Sequence, residues 1–184
     1  MFTLDSSSTT ANGGVDAALL IIRIALGVVM IAHGYNHIFR GGKIKGTAGW
    51  FESLGMKPGI LHAWTASITE LAAGAMLIFG LATPLAAAGV VGVMLVAFIT
   101  NHRKNGFFIF RPGEGYEYVL TLLLVGIAIG GLGAGNWSLD NALDIGDKML
   151  GWRGLAIAAG LGGGGALALL AVFYRAPVKA PVKD

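Results

Sequence analysis

The sequence has no cysteine, so the chain forms no disulfide, offers no thiolate to a metal and runs no thiol exchange of its own. Charge is scarce as well. Asp, Glu, Lys and Arg make up 12% of the residues, against about 25% in an ordinary soluble domain, which excludes a conventional water-soluble fold. Several short catalytic and nucleotide-binding motifs are also missing: there is no Rossmann fingerprint, Walker sequence, Cys-x-x-Cys-His or Ser nucleophile elbow. The glycines at 160 and 162–165 are no phosphate loop, because no strand precedes them and no Lys-Ser/Thr follows. They predict a close-packed or flexible point inside a helix.

What the chain has in quantity is apolar sequence, with 55% hydrophobic residues and a mean hydropathy of +0.71. It is arranged in runs of about 17 to 23 residues rather than in amphipathic stripes. Five runs are long enough to cross a hydrocarbon layer of about 30 Å at about 1.5 Å per residue. They are Ala17–Phe39, His62–Leu81, Leu85–Thr100, Tyr116–Leu132 and Trp152–Tyr174. An all-α membrane protein is predicted, with the third run extendable to His102. Pro84 suits a helix start, where its missing N–H costs little, so the second and third helices form a tight antiparallel pair. In the loop from Arg40 to Leu61, Trp50, Phe51 and Leu54 ahead of Gly55 and Pro58 predict a short interfacial helix stopped at glycine. Trp50, Trp64, Trp137 and Trp152 near span ends read as aromatic-belt anchors. Residues 1–16 carry Asp5 and Asp16 but no Lys or Arg, and read as a flexible extracytoplasmic tail rather than a cleavable signal. Residues 175–184 form a basic tail.

The net charge of +3 and pI near 9.3 do not point to nucleic acid, because the cations lie between apolar runs and not along one face. They report topology instead. With five spans, one side receives ten cations, including Arg40, Lys43, Arg103, Arg111 and Arg175, and the other receives Lys148 with Arg153 just inside the last span. Lys and Arg resist translocation, so the first side is cytoplasmic, the N-terminus outside and the C-terminus inside.

An ionisable residue deep in a span costs about 2.5 to 3.5 kcal/mol on insertion scales, so each needs a partner or a task. Arg23 and Glu70 are the two deep ones, and antiparallel packing predicts a direct or water-bridged pair between them. At 100° per residue, Arg23, Gly27, Met30, Gly34 and His37 lie within about 40° of one line on the first span. Ala63, Ala66, Ser67, Glu70 and Gly74 form a matching small-residue face on the second, so the first two spans meet there. All four histidines fall in the predicted cytoplasmic half, joined by Glu117 at the start of the fourth span and Glu114 just outside it. His33, His37, His102 and Glu117 form the candidate catalytic set, since imidazoles and a carboxylate at one depth suit a metal, a quinone carbonyl or a proton relay. His62 and His102 also read as ordinary interfacial residues, and Arg23 with Glu70 as a structural pair that fixes helix register.

The order and spacing of several segments resemble the DoxX family of small membrane proteins over residues 19–140. The resemblance rests on Arg23-Ile-Ala-Leu-Gly27 with His33-Gly34, on Phe51 to Pro58 leading into Thr69-Glu70-Leu71, and on Gly80 to Pro84. It continues through Met94 to His102, Gly106-Phe107-Phe108, Gly115 to Tyr118 and Ser138-Leu139-Asp140. It implies a four-helix transmembrane bundle, to which this chain adds a fifth Gly-rich span and the basic tail. Family members include membrane subunits of thiosulfate:quinone oxidoreductase, and many carry an oxidoreductase or redox-complex label. The positions matching the recurrent polar pattern are Arg23, His33, Glu70, His102, Glu117 and Asp140.

These observations predict a bacterial plasma-membrane redox subunit. His33, His37, His102 and Glu117 hold a quinone head or relay protons near the cytoplasmic face, with Arg23 and Glu70 supporting from deeper in the bundle. No metal site is expected. Haem clamped between His33 or His37 and His102 is disfavoured against quinone. The alternative is a non-catalytic scaffold or anchor for partner proteins, motivated by the lack of any complete catalytic motif. A small proton-coupled carrier is weaker still, as no inverted repeat is evident. Expected partners are the lipid bilayer, other membrane or cytoplasmic redox proteins and further copies of the chain, with no nucleic acid.

Overall fold

The computed structural model describes residues 6–177, which are helical with no β-strand among them. Helix α1 runs Ser6–Phe39, so it starts eleven residues before the apolar run does. From residue 6 onward the expected flexible tail is therefore the beginning of a helix, while residues 1–5 lie outside the described residues. Where this segment joins the apolar run there is an anchor that hydropathy does not register. Asp16 is buried, and its carboxylate accepts the Asn136 backbone N–H at 2.8 Å and the Asn136 side-chain amide at 2.9 Å.

Helix α2, Lys43–Ser53, is the expected short helix, ending just ahead of Gly55 at φ 91°, a conformation open to glycine at little cost. Helix α3, Gly59–Phe79, and helix α4, Thr83–Ala97, are joined by three residues, with Gly80 left-handed and Pro84 in the first turn of α4. Beyond α4 the chain continues through a π turn, Phe98–His102, and a 3-10 turn, Arg103–Asn105. Helix α5 is Glu117–Leu132 and α6 a single turn, Leu139–Ala142. The last span consists of α7, Trp152–Leu155, a π segment, Ala156–Leu161, and α8, Gly162–Phe173.

Three of these helical stretches are long and apolar enough to cross a membrane: Gly13–Phe39, Thr83–Asn105 and Trp152–Phe173. Helix α3 has 21 residues, but His62, Ser67, Thr69 and Glu70 lower its apolar character, and α5 is shorter at 16 residues. Ile21, Val28, Ile68, Leu124 and Val172 all stand exposed on the bundle exterior. An apolar exterior around satisfied helical backbone is what a lipid solvent selects. The chain is an all-α membrane protein.

Glycine sets the spacing. A Cβ on Gly27 would lie 2.7 Å from the Gly74 carbonyl oxygen, one on Gly74 would lie 2.7 Å from that of Gly27, and one on Gly34 would lie 2.9 Å from that of Ser67. The α1 and α3 faces read from the sequence are the ones that meet, antiparallel and at backbone contact. Helix α4 is central, with α3, α5 and α8 packed around it. In the last span Gly162 is pressed against the Ala88 carbonyl oxygen, whereas Gly163, Gly164 and Gly165 have open space beside them. Close packing thus accounts for one member of the run. Helix α8 finishes against the α2–α3 connection, where Tyr174 bridges Met56 and the Arg175 N–H donates to the Gly55 carbonyl at 2.9 Å.

Candidate functional site

The bundle has two polar ends, which are here called the arginine end and the histidine end. At the arginine end Arg23 is fully buried. Its Nη1 donates to the carbonyls of Leu77 at 3.1 Å and Ile78 at 3.4 Å, and its Nη2 to that of Trp137 at 2.6 Å. The first two belong to the last turn of α3, where helical carbonyls lack intrahelical donors and a cation is favoured. A Cβ at position 80 would strike the guanidinium, so Gly80 supplies room as well as the left-handed turn. Asp140, also buried and within electrostatic reach of Arg23, accepts the N–H groups of Ala82 at 2.6 Å and Thr83 at 3.0 Å, capping α4. The loop that carries Trp137 and Asp140 therefore closes the end of one helix and the start of the next.

This arrangement corrects the predicted Arg23–Glu70 pair, which does not form. With Gly27 opposite Gly74, residue 31 of α1 stands opposite Glu70. Arg23 is eight residues away from that level, about 12 Å along the helix. Glyine contacts fix this register, and a depth estimate made from span ends does not contain them.

At the histidine end the C-terminal parts of α1 and α4, the start of α3 and the first two turns of α8 line a partly open cavity of about 730 Å³, with α2 across it. Ligand pockets commonly measure roughly 300–1,000 Å³. His33, His37, His62, His102, Glu70 and Glu114 all reach its wall. Its remaining lining is largely apolar or small, from α4 and α8.

Glu70 is 3% exposed, and its Oε2 lies 3.0 Å from His37 Nδ1. The contact is close but not aligned as a hydrogen bond, and neither atom has a hydrogen-bond partner among the described residues. His62, also 3% exposed, has an unpartnered Nε2 as well. Its ring meets Phe173 edge-on at 5.1 Å, which ties α3 to the end of α8. His37 is framed by Trp50 and Phe51 of α2, and its carbonyl accepts the Thr47 hydroxyl at 2.8 Å. The π turn after α4 presents His102, with Nδ1 3.0 Å from the Glu114 carbonyl and Nε2 3.2 Å from the Asn101 amide nitrogen. These partners fit a neutral ring protonated at Nδ1 and accepting at Nε2. His33 is exposed at the rim, its ring 6.5 Å from that of Tyr118.

Of the sequence-predicted residues, the structure brings His33, His37, His102 and Glu70 to one cavity and places Arg23 and Glu117 elsewhere. Glu117 accepts the Ile109 N–H at 3.0 Å through Oε2, while its own N–H donates to the Phe107 carbonyl at 2.9 Å. It thereby holds a finger on which Phe107, Phe108, Ile109 and Phe110 are all exposed, Phe110 by 78%. Sequence reasoning missed His62, taken as interfacial, and Trp50 and Phe51, taken as membrane-surface residues. The available signal was that all four histidines fall at one end. Among the described residues no three His, Asp or Glu side chains converge to hold a metal ion.

Fold and site together define a helical membrane bundle with a partly open, largely apolar cavity at one end, into which histidines and a buried carboxylate project. Residues 18–103, from within α1 to the turns after α4, match the DoxX family model. A Bacillus subtilis (strain 168) protein named "Putative oxidoreductase CatD" is 28% identical over 120 residues, covering 65% of this chain and 84% of that protein. No solved structure matches. All of the α1, α3 and α4 cavity residues fall within the matched region, whereas α8 lies outside it.

Proposed function

We propose that the chain is a bacterial plasma-membrane subunit of a redox complex that binds a quinone head in the histidine-end cavity and moves protons there. The observation carrying this reading is a pair of deeply buried polar groups on the cavity wall, Glu70 Oε2, whose contact is the His37 ring at 3.0 Å, and His62 Nε2, which has no hydrogen-bond partner among the described residues. Buried polar atoms are seldom left without partners, so the site is built for something that completes them. Imidazole N–H groups donate to carbonyl oxygens, and the Glu70–His37 contact is a place where a proton passes between carboxylate and ring. A bound quinone would supply two-electron, two-proton chemistry. The chain's own part is to orient the head between His37 and His62, exclude water with Trp50 and Phe51, and carry protons towards His33 and His102 at the rim. The two electrons that accompany those protons would be exchanged with a redox partner protein. The DoxX match and the oxidoreductase name of the Bacillus relative support this class.

Purification in mild detergent followed by organic extraction tests the reading. Near-stoichiometric quinone is expected, reduced about tenfold by His37→Ala or Glu70→Gln through the loss of one charge-assisted contact. A quinone-free protein, together with unchanged quinone-linked oxidation in cells carrying His37→Ala, overturns it. A second reading, a scaffold for partner proteins, is favoured by the exposed finger at 107–110, which Arg103, Lys104 and Arg111 flank. The same purification separates the two, since a scaffold brings a stoichiometric protein and no quinone.

The orientation follows the cation count, with five spans, the N-terminus outside and the histidine end at the cytoplasmic face. A fluorescent protein fused to the C-terminus should mature and fluoresce in the cytoplasm. A dark fusion with normal membrane levels overturns that orientation.

A further inference from the structure

Helices α3 and α8 both pack along α4 but scarcely touch one another between their ends. At the histidine end the gap is closed by the His62–Phe173 contact and the Met56–Tyr174 bridge. Above that closure the cavity wall changes character. It passes from Glu70 and His62 to Ala66, Gly92, Val96, Gly165 and Leu169. Gly165 has nothing within 4 Å of where a Cβ would stand and is exposed, as are Thr65 and Leu161, which line the same cavity. The polar pocket is thus continuous with an apolar slot that opens sideways between α3 and α8, on the surface that faces lipid.

We propose that this slot holds an apolar tail, so that the ligand is a lipid-borne, prenylated quinone that enters from the bilayer between α3 and α8 rather than a water-soluble one. This deepens the quinone reading and rests on it. The buried atoms of Glu70 and His62 supply the head site, and Gly165 of α8 leaves open space on the cavity wall beside it, on the histidine-end side of the level where Gly162 closes on Ala88 of α4. The added last helix then has a direct task. It forms the wall of the slot through Gly165, Ala166 and Leu169, outside the DoxX-matched region.

Fluorescence quenching of Trp50, which lines the cavity, reads binding to the full chain in detergent, with Trp50→Phe as the blank. Two probes are compared, a prenylated benzoquinone and the same ring without its tail. The wild type should bind the prenylated form at least about tenfold more tightly, a gain that requires the net burial of only about two methylene groups of the tail. Gly165→Leu should remove that advantage while leaving the tail-less ring within about twofold, since the slot is filled but the head site is untouched. Gly163→Leu, on the same helix and outside the cavity lining, should change neither. Equal binding of the two probes by the wild type, or a prenylated probe indifferent to Gly165→Leu, overturns the tail slot and leaves the head site standing. Failure of the wild type to bind either probe overturns the quinone reading and the slot with it.

Discussion

The two ends of the bundle differ in what surrounds their buried polar atoms. At the arginine end, Arg23 gives both terminal nitrogens to carbonyls, Asp140 takes two backbone N–H groups, and Asp16 is held twice by Asn136. Arg23 Nε and Thr83 Oγ1 are left without hydrogen-bond partners there, as atoms of Glu70, His37 and His62 are at the histidine end, but only the latter stand beside a large cavity. Both ends carry charge that lipid would penalise, yet only the first has spent it on closing the fold. An intramembrane ionisable residue therefore marks a function only when its local partners fail to account for it. Arg23 has backbone carbonyls for both terminal nitrogens, whereas Glu70 has only the poorly aligned His37 ring and faces a cavity.

That contrast breaks most visibly at Asp140. Asp140→Ala leaves a fully buried guanidinium without its counter-charge and two N–H groups of α4 without an acceptor. A loss of about 2–4 kcal/mol is expected, about 1–2 for each buried N–H group left unpaired, read as a lowered Tm in detergent. An unchanged Tm would mean that the arginine end is not the structural clamp described above. Glu70→Gln should do much the opposite. Removing a buried carboxylate whose one contact is poorly aligned should alter stability by about 1 kcal/mol or less, in either direction, while bound quinone falls. If Glu70→Gln destabilises as strongly as Asp140→Ala, the two ends are alike and the histidine cavity loses its claim to function.

Much of the fold was legible in the sequence because lipid imposes a length and a composition on each helix. The apolar runs gave the long helices, Pro84 marked the start of α4, and Gly55 the stop after α2. The stripes Gly27–Gly34 and Ser67–Gly74 gave the first interface, since small residues at helical spacing permit backbone contact. The polar sites were only half legible. His33 and His37 share a face by their spacing alone, but His62 joins them only because α3 packs against α1 in one register and α8 lays Phe173 on its ring. Glu117 shows the converse. It lies close in sequence to the histidine end, yet a local turn claims its carboxylate for the Ile109 N–H.

The sequence by itself determined the solvent, the helical class and the faces on which α1 and α3 meet, because hydropathy and glycine spacing act locally and their periods can be counted. Tertiary structure alone decided which charges are neighbours. The glycine contacts set the α1–α3 register, which separates Arg23 from Glu70 and brings Glu70 to His37, while the loop at 135–140 supplies partners for Arg23 from more than a hundred residues away. Which buried charge is satisfied and which is left facing a cavity depends on contacts about one side chain long between distant segments, and no periodicity in the chain encodes those.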